Sequence, residues 1–415
     1  MAQTESQVSR SLQGSTKFGV LGDQGVFSRD ESMTDTANKS LALATLALWA
    51  VIRLGSSTLT SGQVQTQGNP LSDWRPTDDP SGIGYVGPRA CAQCHKYEAS
   101  TQLGTPMAHA LESSTECQVL SEHPRMTFRE GAYSYQIARQ GNRSIYTVSD
   151  GVNTISEPIL YCFGQGKGGQ TYVLQHGGAS YECRVSYYKT IQNLDLTIGQ
   201  PTALPNSLEE ALGRRLSGAE ALECFGCHAP SAVSGHRLRL ENLVPGVTCE
   251  ACHGPGERHI AAVNSRDSKG LQIFNPRTLD SITLSQEFCG TCHRGFVQVM
   301  QMPAQGGFQN VRFQPYRIFN SKGHNKFDSR ISCIACHDPH DKLQHETAFY
   351  DSKCLACHLS SPQQARTETR TSRACPVGTQ KCAACHMPKV EIPGTHTSFT
   401  DHWIRVVKPN ESIPR

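Results

Sequence analysis

Seven segments of the chain share the pattern Cys-x-x-Cys-His, which puts two thiols and one imidazole within five residues. Shuffling the same composition would give roughly 0.03 copies, so the repetition is not a product of chance. Two thiols three positions apart can each form a thioether with one vinyl group on the same edge of a porphyrin, and the adjacent imidazole can bind the iron. The pattern therefore predicts seven covalently attached haem c groups. The predicted thioether cysteines are Cys91, Cys94, Cys224, Cys227, Cys249, Cys252, Cys289, Cys292, Cys333, Cys336, Cys354, Cys357, Cys382 and Cys385. The predicted iron ligands within the motifs are His95, His228, His253, His293, His337, His358 and His386.

Two other chemistries also use many cysteines. Zinc ribbons pair two Cys-x-x-Cys hairpins around one ion, but a His rarely follows every hairpin. A disulfide framework has no reason to keep the two-residue gap or the trailing His. Outside the motifs stand Cys117, Cys162, Cys183 and Cys375. Cys162 and Cys183 share one strand-rich segment, where we expect either a disulfide formed in an oxidising compartment or two separately buried thiols.

Ten histidines lie outside the motifs, which is enough to give every iron a second imidazole. Iron with two His ligands is closed to substrate and suits electron transfer, whereas chemistry on a small molecule needs an open position. Met107 competes with His109, because thioether sulfur also binds haem iron. The predicted second ligands are His109, His259, His324, His340, His396 and His402.

The composition excludes several classes of protein. The 415 residues have a formal net charge of +3 and 37% hydrophobic residues. No stretch of about 20 apolar residues occurs, which excludes a polytopic membrane protein. The basic residues are not clustered, so we expect no nucleic-acid partner. The expected partners are redox proteins, a donor and an acceptor, whose identity the sequence does not specify.

The N-terminal region, residues 1–80, is predicted to be a leader and linker. Within its signal segment, residues 33–60, the twelve residues LALATLALWAVI suit the core of a signal peptide and are short for a spanning helix. The alternatives are an uncleaved anchor, which would allow membrane association through this segment only, or an ordinary buried helix. Because bacteria attach haem covalently outside the cytoplasm, we expect a periplasmic or otherwise exported protein.

The rest of the chain divides into three predicted parts. Residues 81–124 form a first haem module with a single motif. Residues 125–205 form a β-rich insert, because apolar and polar residues alternate there and turn signals such as residues 140–142 separate the runs. The glycine-rich run at 164–169 lacks the ending of a phosphate loop and is expected to be a hairpin turn. Residues 206–415 form a six-haem domain.

The six-haem domain cannot build an ordinary hydrophobic core. Its six motifs leave about 27 residues per haem, so the porphyrins themselves are predicted to be the core. A capping box at Ser207 and Glu210 predicts one short helix ahead of these motifs. The expected fold is a haem-cored multihaem cytochrome of mainly short α-helices and loops, with an inserted antiparallel β-rich segment.

Several segments around the motifs resemble the cytochrome c-554 family. They are residues 84–95 (GYVGPRACAQCH), 105–109 (TPMAH), 244–256 (VPGVTCEACHGPG), 382–389 (CAACHMPK) and 396–402 (HTSFTDH). The layout over about residues 82–408 also resembles bacterial multihaem cytochromes that often carry tetratricopeptide repeats. The resemblance implies an exported electron carrier with mostly bis-His haems in closely packed pairs. The chain departs from the c-554 pattern where that family has Ser-x-His, because it has Thr105-Pro-Met107 with His109 two residues later.

Three functions are compatible with these features. The leading hypothesis is an exported heptahaem cytochrome that relays electrons between redox partners. The alternative is a multihaem oxidoreductase that acts on a small nitrogen or sulfur compound at one open haem, and it would need a polar side chain over the vacant face of that iron. The third is a structural role in which the β-rich insert docks on a larger respiratory complex.

Overall fold

The computed structural model describes residues 74–77, 83–266, 271–321, 324, 330–358, 375–408 and 411–414. The predicted signal segment at 33–60 lies outside the described residues, as does most of the predicted leader. In the part of the chain that the structure describes, no helix combines the length and apolar character that a membrane span requires.

The largest regular element is an antiparallel sheet in the middle of the chain. The strands of the described chain are β1 Leu111–Ser113, β2 Arg125–Glu130, β3 Tyr133–Gln140, β4 Arg143–Ser149, β5 Thr154–Phe163, β6 Thr171–His176, β7 Ala179–Cys183, β8 Val185–Tyr188, β9 Asn193–Leu196, β10 Gly213–Arg215, β11 Val233–Ser234, β12 Arg237–Leu238, β13 Lys389–Glu391 and β14 Ser398–Thr400. The strand order in the large sheet is β10-β7-β6-β5-β4-β3-β2, and β1 pairs with β5. Strands β8 and β9 form a separate hairpin, as do β11 with β12 and β13 with β14.

The predicted β-rich segment is confirmed, and its alternation is the reason for the sheet. In β4, Ser144, Tyr146 and Val148 are buried while the residues between them are partly or fully exposed. Since successive side chains of a strand point to opposite faces, this pattern buries one face of the sheet. The glycine-rich run at 164–169 connects the paired strands β5 and β6, as expected of a hairpin turn. The sheet also extends past both ends of the predicted insert, because it includes β1 and β10.

The helices are short and mostly carry motif residues. Ser207 caps α4 by accepting a hydrogen bond from the Glu210 backbone N–H at 3.1 Å, as the sequence predicts. A full capping box between Ser217 and Glu220 starts α5, and the sequence analysis had not identified it. The helices are α1 Pro88–Cys91, α2 Lys96–Gln102, α3 Gln118–Glu122, α4 Leu208–Leu212, α5 Gly218–His228, α6 Cys249–His253, α7 Glu257–Ser265, α8 Gly290–His293, α9 Phe296–Met300, α10 Gln314–Phe319, α11 Cys333–Cys336, α12 Thr347–His358 and α13 Cys382–His386. A π-helix, Thr283–Phe288, precedes α8, and 3-10 turns cover Pro230–Ala232, Leu240–Asn242, Pro276–Thr278 and Pro303–Arg312.

Apolar burial is distributed unevenly between the sheet and the motif helices. The inner face of the sheet forms a continuous core that includes Tyr135, Ile137, Tyr146 and Leu174. Elsewhere the apolar clusters are small, and one of them has only Val299, Phe313 and Tyr316 as its buried members. Helices α1, α11 and α13 contain no buried residue. The protein part around the motifs therefore lacks the apolar packing that stabilises a domain of this size.

The thiols of Cys162 and Cys183 are buried and are not bridged to each other. They correspond to the second of the two expected alternatives. The neighbour of Cys162 is instead Cys117, whose thiol lies within hydrogen-bonding reach of it. The Cys117 thiol also donates to Gln170 Oε1 at 3.3 Å. These groups fill the interior between β5 and the start of α3.

Replacing Gly213 with alanine should destabilise the sheet more than the same change at Gly141. Both glycines have positive φ, +144° and +64°, so each variant loses about 1–2 kcal/mol from backbone strain. A Cβ at Gly213 would also lie 2.1 Å from the Glu182 carbonyl oxygen, whereas nothing lies within 4 Å of one at Gly141. We expect a total loss of ~3 kcal/mol or more for G213A, measured by thermal unfolding in far-UV circular dichroism. Equal losses would show that β10 tolerates displacement from β7.

Candidate haem-binding sites

Every Cys-x-x-Cys-His motif lies wholly or partly in a short helix. The motifs are numbered 1 to 7 in chain order. Motifs 3 and 7 coincide with α6 and α13, and motifs 2 and 6 form the ends of α5 and α12. In a helix, positions i, i+3 and i+4 lie on one face, so the two thiols and the imidazole of motifs 2, 3, 6 and 7, which are helical throughout, lie on the same face. The two thiols and the imidazole of such a motif therefore lie together on the helix surface.

Three motif histidines face a histidine from outside the motifs. The ring centroids of His95 and His259 are 6.2 Å apart. Those of His253 and His340 are 6.0 Å apart, with an interplanar angle of 12°. Those of His337 and His402 are 6.2 Å apart. The structure thus brings together three of the six predicted second ligands with three different motifs.

The spacing of these pairs fits one metal ion between two imidazoles. A metal–imidazole bond is about 2 Å long and the ring centroid lies about 1 Å beyond the bonding nitrogen, which gives centroids about 6 Å apart. Ordinary aromatic pairs such as Tyr135 and Tyr146, at 6.4 Å, have a similar spacing, so the distances are compatible with an iron between the rings and do not by themselves require one.

The backbone orients several of the predicted ligands. A metal-bound His usually donates its other ring N–H to a carbonyl or carboxylate, which fixes the tautomer and aims Nε2 at the metal. Nδ1 of His228 lies 2.8 Å from the Ala110 carbonyl oxygen. The same contact is made by His253 with Phe274 (2.9 Å), His259 with Leu271 (2.6 Å), His386 with Arg405 (2.9 Å) and His402 with Thr400 (3.0 Å). In all five, Nε2 is left as the nitrogen available for coordination.

Burial favours the neutral form of four imidazoles, which is the protonation state that binds a metal. It lowers the pKa of His402 to about 4. It also lowers the pKa of His228 and of His253. Burial has the same effect on His293, where the nearby His228 and His337 lower the pKa further.

The other three predicted second ligands do not face a motif histidine in this way. His109 Nδ1 lies 2.8 Å from Glu112 Oε1, which orients the ring as a carboxylate does for a metal ligand. His324 Nε2 is buried and makes no hydrogen bond to the described residues, so it is an orphaned nitrogen that a metal would satisfy. His396 Nε2 is 2.7 Å from Asp195 Oδ2, on the side of the β8–β9 hairpin. Coordination by His396 would have to use Nδ1 or break this contact.

Thiols of different motifs lie side by side. The Cys91 thiol interacts electrostatically with the Cys249 thiol, in motifs 1 and 3, and the Cys227 thiol with the Cys292 thiol, in motifs 2 and 4. The same interaction is present between Cys289 and Cys333, in motifs 4 and 5, and between Cys354 and Cys382, in motifs 6 and 7. A charge interaction without a direct bond reaches from Cys252 to Cys289 and from Cys336 to Cys354. The motifs therefore form one connected series.

Two carboxylates that hold motifs together were missed in the sequence analysis. Glu250, inside motif 3, accepts the backbone N–H of Val86 at 2.9 Å and that of Gly87 at 2.7 Å, just before motif 1. Asp351, three residues before motif 6, accepts the N–H groups of Lys381 and Cys382 at 2.7 and 2.8 Å, at the start of motif 7. Both residues are buried. Nothing in the local pattern marks them, because their partners are distant in sequence.

Removing the Glu250 carboxylate should destabilise the contact between motifs 1 and 3. The side chain accepts three backbone hydrogen bonds, the third from Gly256 N–H at 2.7 Å, and its loss leaves these donors unpaired. We expect E250A to lose about 3 kcal/mol or more in urea unfolding of the haem-loaded protein. E250Q, which keeps an acceptor oxygen, should lose less. The control is E241A at an exposed ion pair with Arg239, and a loss no larger than the control's would refute the role.

The chain is similar to known proteins over part of its length. Residues 203–254, which contain motifs 2 and 3, match the family described as cytochrome c554 and c-prime. The multiheme cytochrome MtrA of Shewanella baltica (strain OS185) is 23% identical over 226 residues, which are 50% of this chain and 57% of that protein. The chain thus spans little more than half the length of this relative. No solved structure matches the chain significantly. The motifs, the family match and the relative together support a multihaem c-type cytochrome.

Proposed function

We propose that the chain is an exported heptahaem cytochrome that relays electrons between redox partners through closely packed, mostly bis-His haems. The observation that carries the proposal is the set of three facing imidazole pairs, 6.0 to 6.2 Å apart. Each pair joins a motif histidine to a histidine from elsewhere in the chain. The iron of a bis-His haem changes charge by one electron without an open coordination position.

The proposed cofactor-binding residues are the fourteen cysteines and seven histidines of the motifs. His259, His340 and His402 are the proposed second ligands for motifs 1, 3 and 5. The apolar clusters near the motif helices are small, which supports the proposal that haems form the core of this region. A bound cofactor supplies apolar surface and stabilises the folded state. Export is supported only by the covalent attachment chemistry and by the sequence of residues 33–60.

The contacts between thiols support an order for the relay. Thioether sulfurs lie at the porphyrin edge, so motifs whose cysteines interact electrostatically would hold haems whose edges are near each other. The order that follows is motif 1, 3, 4, 5, 6 and 7, with motif 2 branching at motif 4. The protein's part is to fix this order and to exclude water from the series.

Exposure supports the two ends of this order as the places where electrons enter and leave. Among the fourteen motif thiols, Cys94 and Cys385 are the exposed ones, and they belong to motifs 1 and 7. Tyr97, directly after motif 1, is 74% exposed and gives that end an aromatic contact surface. We propose that the donor and acceptor proteins dock at these ends, because electron transfer requires close approach of the partner's cofactor.

Motif 2 favours the alternative function, an oxidoreductase with one open haem. The His228 ring packs edge-on against Phe163, with centroids 5.2 Å apart, and this is the aromatic contact it makes among the described residues. No imidazole of the described chain faces His228 at the spacing seen in motifs 1, 3 and 5, which is also true of His293 and His386, so the edge-on contact with Phe163 is what distinguishes motif 2. An iron held there would keep one position for a small nitrogen or sulfur compound.

Intact mass and low-temperature EPR of the oxidised protein test both functions. The relay predicts seven haem masses and ferric signals that are low-spin throughout. One high-spin iron in seven would favour the open-haem alternative, and fewer than seven haems would contradict the heptahaem proposal.

Single histidine variants locate the second ligands. We expect H340A and H402A each to convert about one iron in seven from low-spin to high-spin, because each removes one of two axial imidazoles. The control is H345A, whose side chain is exposed and faces no motif. A low-spin spectrum for either variant, with haem content unchanged by intact mass, would refute that ligand assignment.

A further inference from the structure

The segment around residue 401 contains a buried ion cluster that has no role in the function proposed above. Arg317 on α10 and Asp401 both have fully buried side chains and form a two-point contact. Arg317 Nε donates to Asp401 Oδ1 at 2.8 Å and Arg317 Nη2 donates to Asp401 Oδ2 at 2.8 Å. Arg405 Nη1 donates to the same Oδ2 at 2.7 Å. Burying charged groups costs desolvation free energy. The best-attested role of such a buried cluster is to fix one conformation of the chain.

The cluster holds a short segment in one conformation. We call residues 401–405 the C-terminal strap. Asp401 Oδ1 also accepts the Trp403 N–H at 3.0 Å, and the Arg317 guanidinium lies 4.9 Å from the Trp403 ring centroid. Ser321 Oγ donates to the His402 carbonyl oxygen at 3.1 Å and accepts the Ile404 N–H at 2.8 Å. Every residue of the strap is therefore fixed to α10, to Ser321 just beyond it, or to another residue of the strap.

The strap reaches two motifs at once. His402 faces His337 of motif 5 at 6.2 Å. Three residues later, the Arg405 carbonyl oxygen lies 2.9 Å from Nδ1 of His386 in motif 7, and the Arg405 N–H donates to the His386 carbonyl oxygen at 3.2 Å. A shift of the strap would thus displace the second ligand of one motif and the orienting contact of another.

We propose that Asp401, clamped between Arg317 and Arg405, is a positioning residue that holds His402 on the iron of motif 5. The inference rests on the proposed function, in which His402 is that iron's second ligand. Asp401 is adjacent to His402 in the chain, so fixing its carboxylate at two points fixes the backbone from which the imidazole projects. A planar guanidinium is required, because only its fork can bond both carboxylate oxygens at once.

Two variants separate geometry from charge. D401N keeps the shape of the side chain but removes its charge, and R317K keeps the charge but removes the two-point contact. We expect each to convert about one iron in seven to high-spin in EPR, with seven haems still present by intact mass. Added imidazole should restore the low-spin signal, because it binds the iron position that His402 has left. If Asp401 needed only a nearby positive charge, the EPR spectrum of R317K would stay low-spin.

Controls and a milder variant keep the test decisive. D150N in an exposed turn and R214K in a surface ion pair are matched controls and should stay low-spin. S321A removes the two hydrogen bonds to the strap without unpairing a buried charge, so it serves if D401N or R317K does not fold. The double variant D401N/H402A should show no more high-spin iron than H402A alone, since both act on one position.

The outcomes distinguish this inference from the proposed function. If H402A becomes high-spin while D401N, R317K and S321A stay low-spin, the positioning role is overturned and the ligand assignment stands. If H402A itself stays low-spin, the ligand assignment fails and the positioning role fails with it. Conversion in H402A and in the strap variants, reversed by imidazole in each case, supports both.

Discussion

The arrangement of the motifs depends on one constraint, which is that a motif histidine must lie opposite an imidazole from another segment, with ring centroids 6.0 to 6.2 Å apart. The described chain meets it by interlocking its segments. His259, which faces motif 1, lies on α7 just after motif 3. His340, which faces motif 3, follows motif 5 by three residues. His402, which faces motif 5, comes from the C-terminal strap. Each pair therefore needs the next part of the chain in place, and local folding alone completes none of them.

Buried carboxylates connect segments near the motifs, whereas apolar packing makes such connections in an ordinary domain. Glu250, Asp351 and Asp401 each accept two or more hydrogen bonds from another segment near a motif. Such contacts are directional, whereas apolar packing is not, so they define the relative position of two motifs with few residues. The relay arrangement we propose thus rests on a small number of charged groups as well as on the haems.

The sequence predicted the local features of the site and not its long-range ones. The motifs and the strands are local patterns, and both were recognisable from spacing and alternation. Which histidine faces which motif depends on contacts between residues far apart in the chain, so His396 and His402 looked alike, although the structure places one beside Asp195 and the other opposite His337. The short strands β1 and β10 lay outside the alternating region and became visible only through their partners.

The sheet has a consequence for how the haem segments meet. Motifs 1 and 2 are separated by 128 residues, and bringing the ends of so long a loop together costs loop-closure entropy. Strands β2 to β7 pair each with its neighbour in sequence, so the sheet forms from local hairpins and has its own core. Strands β1 and β10 then fix both ends of the loop to it, and the Ala110 carbonyl oxygen beside β1 receives His228 of motif 2. The folded insert therefore lowers the entropy cost of bringing motifs 1 and 2 together. The packing of its own core, which involves no cofactor, stabilises this arrangement.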